Sequence, residues 1–90
     1  MSALSYSDSR CIVVGGAGFV GSNLVHRLLA SGAAEVAVVD NLLSADIINV
    51  PDDPRVTFHF GSICEERILQ GLPRDVDFVF HLSTYHGNQS

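Results

Sequence analysis

Ninety residues, 47% of them hydrophobic and 17% charged, suffice for one small globular domain and are too apolar for a disordered chain. A net charge of −5 with no lysine at all excludes a surface that tracks nucleic-acid phosphates, because such a surface is basic. No basic segment precedes an apolar one and no apolar span is long enough for a bilayer, so neither a secretory leader nor a membrane partner is expected, and two cysteines without metal spacing predict buried, reduced thiols in a cytoplasmic protein.

The polar stretch 1–9 predicts a flexible leader ahead of a folded unit over residues 10–90. The apolar run Cys11-Ile12-Val13-Val14 predicts a first strand over residues 10–15, and Val20, Leu24 and Leu28 recur at helical spacing, predicting a helix from Phe19 to Ser31 that Gly32 stops. Between strand and helix stand Gly15, Gly16, Gly18 and Gly21. Residues 16–21 satisfy G-x-G-x-x-G, where one glycine permits the tight turn, one lets backbone amides approach a pyrophosphate, and one brings helix against strand. The helix N-terminus adds unpaired N–H groups and a partial positive charge. A kinase-type phosphate loop does not fit, since Ser22 occupies the position that needs lysine.

A second strand, Glu35-Val36-Ala37-Val38-Val39-Asp40, ends in an acid 19 residues after Gly21, where a carboxylate can accept both adenosine ribose hydroxyls. No arginine or lysine follows Asp40 to neutralise a 2′-phosphate, which favours NAD over NADP. Residues 41–54 form a connection with a turn at Pro51-Asp52-Asp53-Pro54; a helical turn at Ile47 to Val50 is left open. A third strand over residues 55–60 alternates, with Val56, Phe58 and Phe60 on one side. Ser62 and Glu65 have capping-box spacing ahead of a helix with an Ile63, Ile68, Leu69, Leu72 stripe, and Gly71 and Pro73 end it. The fourth strand, residues 76–82, is nearly all apolar and reads as buried on both faces with a neighbour on each side. Strands alternating with helices predict an α/β, doubly wound (Rossmann) parallel sheet in the order 3-2-1-4, partial here, with remaining strands expected beyond residue 90.

The segment Val14-Gly15-Gly16-Ala17-Gly18-Phe19-Val20-Gly21 resembles the T-G-x-x-G-x-x-G turn of extended short-chain dehydrogenases/reductases, the NAD-dependent epimerase/dehydratase family. Asp40-Asn41-Leu42 resembles that family's ribose-binding D-N-L, and Phe80-His81-Leu82-Ser83-Thr84 resembles the H-L-A-A segment ending its fourth strand. The resemblance implies a nucleotide-diphosphate sugar enzyme, homodimeric when whole, that keeps NAD for transient hydride transfer. By the same resemblance Gly15, Gly18, Phe19, Val20 and Gly21 hold the phosphates, Asp40, Asn41 and Leu42 the ribose, Ile63 the adenine, and Leu82, Ser83 and Thr84 line the nicotinamide and pyrophosphate region.

Three departures stand out: Val14 replaces the family's threonine, Ser62 its adenine-contacting aspartate, and Ser83 and Thr84 its two alanines. Ser62 is read as a helix cap rather than a ligand. The family's catalytic Tyr-x-x-x-Lys is absent, since Tyr85 is followed four residues later by Gln89 and Tyr6 by Arg10, so no catalytic residue is assigned. His81 reads as structural, and His86 as a substrate contact or an ordinary loop residue. Two rivals stand beside the enzyme reading: a non-catalytic NAD-sensing or scaffold module, and a methyltransferase-like nucleotide binder with no pyrophosphate to cradle.

Overall fold

In the computed structural model, which describes residues 6–42 and 45–82, four strands form one parallel sheet. The strands are β1 (Arg10–Val14), β2 (Glu35–Asp40), β3 (Val56–Phe60) and β4 (Phe78–His81), and their spatial order is β3-β2-β1-β4. Helix α1 (Phe19–Ala30) connects β1 to β2, a 3-10 turn (Ile47–Asn49) lies between β2 and β3, and α2 (Glu66–Gly71) between β3 and β4. The expected order 3-2-1-4 is the observed one. Because every pairing is parallel, Val14, Val39 and His81 lie side by side, and Asp40 pairs with Phe60, so all four carboxyl ends share one edge.

Period-two alternation divides the core between the two faces. Cys11, Val13, Val36 and Val38 face α1 and meet Val25, Leu28 and Leu29, whereas Ile12, Val14, Ala37 and Val39 face α2 and meet Ile68. Both rows of β1 and β2 are thereby buried, as parallel central strands require. Fully burying a Val or Leu contributes about 1.5–3 kcal/mol, so this β1–β2–α1 unit holds most of the stability. Burial also pushes the Cys11 thiol above its ordinary pKa, with the Ser9 hydroxyl opposing and the Asp77 charge reinforcing the shift, so it is a packed and unreactive thiol.

The edge strands are less covered than their apolar composition suggests. In β3, Val56 and Phe58 pack on the α1 side but Phe60 runs past the core. In β4, Phe78 and Phe80 point inward, while Val79 on the other face is 62% exposed. Among the described residues β4 pairs with β1 only, which leaves it at the open edge that the order 3-2-1-4 implies, with one face uncovered. From Tyr6 onward the segment ahead of β1 packs against the fold. Tyr6 sits edge-on to Phe78 at 4.8 Å, the Asp8 N–H donates to the Gly32 carbonyl at 2.9 Å, and Ser9 is buried.

Two local readings change in detail. The helix expected directly behind Ser62 begins at Glu66. The capping-box partners do engage: Ser62 Oγ accepts from the Cys64 N–H at 3.1 Å and the Glu65 carboxylate accepts from the Ser62 N–H at 3.2 Å, but they close the turn ahead of the helix. Cys64 lies in that turn and is exposed, not buried.

Candidate cofactor-binding site

At the carboxyl edge the glycines separate into two kinds. Gly15 continues the β1–β2 ladder through its N–H to the Val39 carbonyl at 2.7 Å and then reverses the chain at φ 87, a left-handed conformation that glycine adopts without penalty. Gly16 and Gly21 are small because the protein fills the space around them: a Cβ at Gly16 would lie 2.7 Å from a Val38 methyl, and one at Gly21 would lie 2.1 Å from the Gly15 carbonyl oxygen. Gly18 is different. Its backbone, φ −79 and ψ 176, suits any residue, and among the described residues a Cβ there would meet only the Gly15 oxygen at an ordinary 3.7 Å. Among the described residues nothing demands glycine at this position.

Gly18 is the N-cap of α1 and offers no side chain to the helix, and the first turn carries no acid. Among the described residues no acceptor takes the N–H groups of Phe19, Val20 or Gly21. Those orphan donors, together with the helix dipole, create a site for an anion. Phe19 and Val20 flank it with side chains 82% and 66% exposed.

Asp40 reaches into the same turn. One carboxylate oxygen accepts from the Ala17 N–H at 3.0 Å and the other from the Leu42 N–H at 2.8 Å, which holds Leu42 at φ 61. A bulky residue in the left-handed region is strained by roughly 1–3 kcal/mol and persists where surrounding structure enforces it. Each carboxylate oxygen has two lone-pair directions, so both retain capacity for ribose hydroxyls. Asp40 therefore has a structural role that the sequence reading did not foresee.

Two further residues at this edge escaped that reading. Asn49 in the 3-10 turn donates from Nδ2 to the Ala17 carbonyl at 2.9 Å. Nothing in its sequence neighbourhood announces a partner 32 residues back; the only signal is Asp46, which caps the turn by accepting from the Ile48 N–H at 3.1 Å. Arg67 donates to the carbonyl of Phe60, the residue beside Asp40 in register, and to Glu65 at 2.6 Å. The Ser62 N–H and then the Arg67 guanidinium hold the Glu65 carboxyl below its ordinary pKa. A cation does stand at this edge, brought by α2 rather than by the residues after Asp40, and a carboxylate already engages it.

The remaining predicted residues are distributed along the same edge. The Leu82 N–H donates to the Val14 carbonyl at 2.8 Å, carrying the β4–β1 ladder past His81. Ile63 is half-buried against the core cluster of the α2 face, and Asn41 follows Asp40 directly. Ser83 and Thr84, like Tyr85 and His86, lie outside the described residues. Among the described residues no cluster of His, Cys, Asp or Glu is arranged to hold a metal.

A parallel sheet with a glycine turn, an open helix N-terminus and a strand-end acid is the arrangement that binds dinucleotides, and comparison with known proteins agrees. The chain is 39% identical over 79 residues to a dTDP-glucose 4,6-dehydratase of Streptomyces antibioticus, which covers 80% of this chain and 24% of the dehydratase. It is 40% identical over 75 residues to the bovine (Bos taurus) decarboxylating sterol-4-alpha-carboxylate 3-dehydrogenase, covering 83% of this chain and 19% of that enzyme. Among solved structures, the Bordetella bronchiseptica enzyme WbmF in complex with NAD+ superposes with a TM-score of 0.85 at 58% identity, over 92% of this chain and 25% of WbmF. The chain thus spans about a quarter or less of the length of these proteins. Residues 11–90 match the NAD dependent epimerase/dehydratase family, and the chain belongs to that family.

Proposed function

We propose that the whole protein interconverts nucleotide-diphosphate sugars, and that this chain holds the adenosine diphosphate half of its NAD. Gly18 carries the reading: a glycine that the described residues do not require, placed beside three N–H groups that they leave without acceptors. In this reading the turn from Gly15 to Gly21 holds the diphosphate, with Phe19 and Val20 at its rim. Asp40, Asn41 and Leu42 face the ribose, Ile63 the adenine, and Leu82, Ser83 and Thr84 the nicotinamide side. NAD supplies a hydride acceptor that is regenerated within the cycle. A sugar substrate is favoured over a sterol because WbmF, 58% identical here, was also solved with NAD+ and UDP.

Proton transfer needs a partner that these residues do not contain, since the chain has no lysine. Residues 1–90 alone are therefore expected to convert no sugar. The same reading takes the whole protein to be a cytoplasmic homodimer; among the described residues no helix is long and apolar enough to cross a membrane.

The test is calorimetric titration of the whole protein with NAD, NADP and adenosine, followed by turnover assays on UDP- and dTDP-sugars with a sterol carboxylate as comparator. NAD should bind more tightly than either NADP or adenosine, and a nucleotide sugar should be converted. Adenosine binding as tightly as NAD would mean that no diphosphate sits on the turn, and turnover of the sterol alone would overturn the substrate class.

A further inference from the structure

Two successive peptide groups of the glycine turn are held by side chains from outside it. The N–H of Ala17, in the Gly16–Ala17 peptide, donates to Asp40 at 3.0 Å. The carbonyl of Ala17, in the next peptide, accepts from Asn49 Nδ2 at 2.9 Å. That second peptide also contains the Gly18 N–H, so Asn49 determines which way the plane leading into α1 is turned. The turn's own bond across this peptide, Gly18 N–H to the Gly15 carbonyl, is long at 3.4 Å and is a weak restraint. Ala17 itself is wholly buried with Asn49 in place.

The 3-10 turn is built to deliver this contact. Asp46 caps it, and the Asn49 and Val50 N–H groups return to the Asp46 and Ile47 carbonyls at 3.0 and 2.9 Å. Val50 then packs against the α1-side core. Asn49 is thus fixed from both sides along the chain while its amide points back at the turn. Ile47 and Ile48 remain 47% and 82% exposed, so within the 3-10 turn itself apolar burial does not fix its place.

We propose that Asn49 is a positioning residue for diphosphate binding: by holding the Ala17 carbonyl it orients the Ala17–Gly18 peptide, and with it the N–H groups at the start of α1. The inference rests on the reading that the diphosphate sits on this turn. Asn49 acts through the turn and does not itself contact the cofactor.

The test compares wild type, Asn49→Ala, Asn49→Asp and Gly18→Val in the whole protein, each titrated with NAD, ADP-ribose and adenosine, with thermal melting in parallel. Asn49→Ala should weaken NAD and ADP-ribose at least about tenfold, about 1.4 kcal/mol, and leave adenosine within about twofold. Asn49→Asp keeps the shape but sets a carboxylate oxygen against the Ala17 carbonyl, so its loss should be larger; it also serves if the alanine variant does not fold. Equal losses for all three ligands would assign Asn49 a merely structural role and overturn the proposal. If Gly18→Val loses NAD while both Asn49 variants bind like wild type, the positioning role falls and the diphosphate reading stands. If Gly18→Val binds NAD normally, both fall.

Discussion

At its carboxyl end α1 is closed by the protein itself. The Ser31 N–H returns to the Arg27 and Leu28 carbonyls, Gly32 turns the chain at φ 90, and Arg55 donates to the Leu29 carbonyl at 3.1 Å while gripping Asp53 with two parallel bonds of 3.0 and 2.9 Å. At the amino end nothing comparable is present among the described residues: a capless glycine, no acid in the first turn, and N–H groups without acceptors. A helix needs both ends satisfied. The contrast separates residues that serve the fold from residues kept open for a ligand, and substitutions at the two ends should separate stability from binding.

The largest effect is expected at Gly21, which lies in the binding motif but is constrained by the fold. A side chain there must displace backbone atoms of Gly15 and Gly16, which cannot rotate away. Gly21→Val should destabilise the whole protein by more than about 3 kcal/mol, at or beyond the usual range for overpacking. Urea denaturation followed by circular dichroism measures it, and a midpoint close to wild type would show that the helix can lift from the turn at little cost.

Gly18→Val should do the reverse. With room for its side chain and an ordinary backbone conformation, the variant should melt within a few degrees of wild type. Its NAD affinity should nevertheless fall at least about a hundredfold, about 2.7 kcal/mol, because the branched side chain takes the space in which a diphosphate would meet the amides. Stability and affinity falling together would erase the distinction between the two glycines.

How much of this could be read in advance follows from how local each signal is. The order of the sheet was legible because β1 and β2 are continuous apolar runs with a glycine turn and an acid at fixed offsets, which leaves few topologies open. The face of α1 was legible only in part: of Val20, Leu24 and Leu28, Leu28 is buried and Leu24 packs against the core, whereas Val20 is 66% exposed and the buried face runs through Val25 and Leu29 instead. The exposure of Val79 was not, since an apolar strand looks alike whether or not something covers it. Nor was Asn49, whose bond to Ala17 depends on how the connection after β2 folds back. The glycine motif names Gly16, Gly18 and Gly21 equally, and only the three-dimensional surroundings of each Cβ show that, among the described residues, nothing crowds Gly18 as Val38 crowds Gly16 and the Gly15 backbone crowds Gly21.

Asp40 lies between the two classes and should show an intermediate effect. Asp40→Ala removes a candidate ribose acceptor and also the bonds to the Ala17 and Leu42 N–H groups. A loss of about 1–3 kcal/mol in NAD binding is expected, with a narrowed preference over NADP and a fall in stability that Gly18→Val lacks. Paired NAD and NADP titrations with a melting curve distinguish these effects; unchanged stability would mean that the two backbone bonds matter little.

The smallest effect belongs to the closed end and is visible mainly in acid. Hydrogen bonds from the Arg55 side chain, then its backbone N–H, hold the Asp53 carboxyl down to about 2 from an ordinary 3.8. Because the folded state lowers this pKa, the pair's contribution is complete above the ordinary value and drains away as the pH falls from about 4 toward about 2. Asp53→Asn removes the titrating charge and leaves the Arg55 bond to Leu29 available. At neutral pH the variant should be slightly less stable than wild type; the gap should shrink below pH about 4 and close near pH about 2. NAD affinity should be unchanged throughout, since Asp53 stands at the opposite end of α1 from the glycine turn. Urea midpoints across that pH range, with one NAD titration at neutral pH, check both halves. A stability gap independent of pH would remove the ion pair from the account of the closed end, and a loss of NAD affinity would show that the two ends of the helix are coupled.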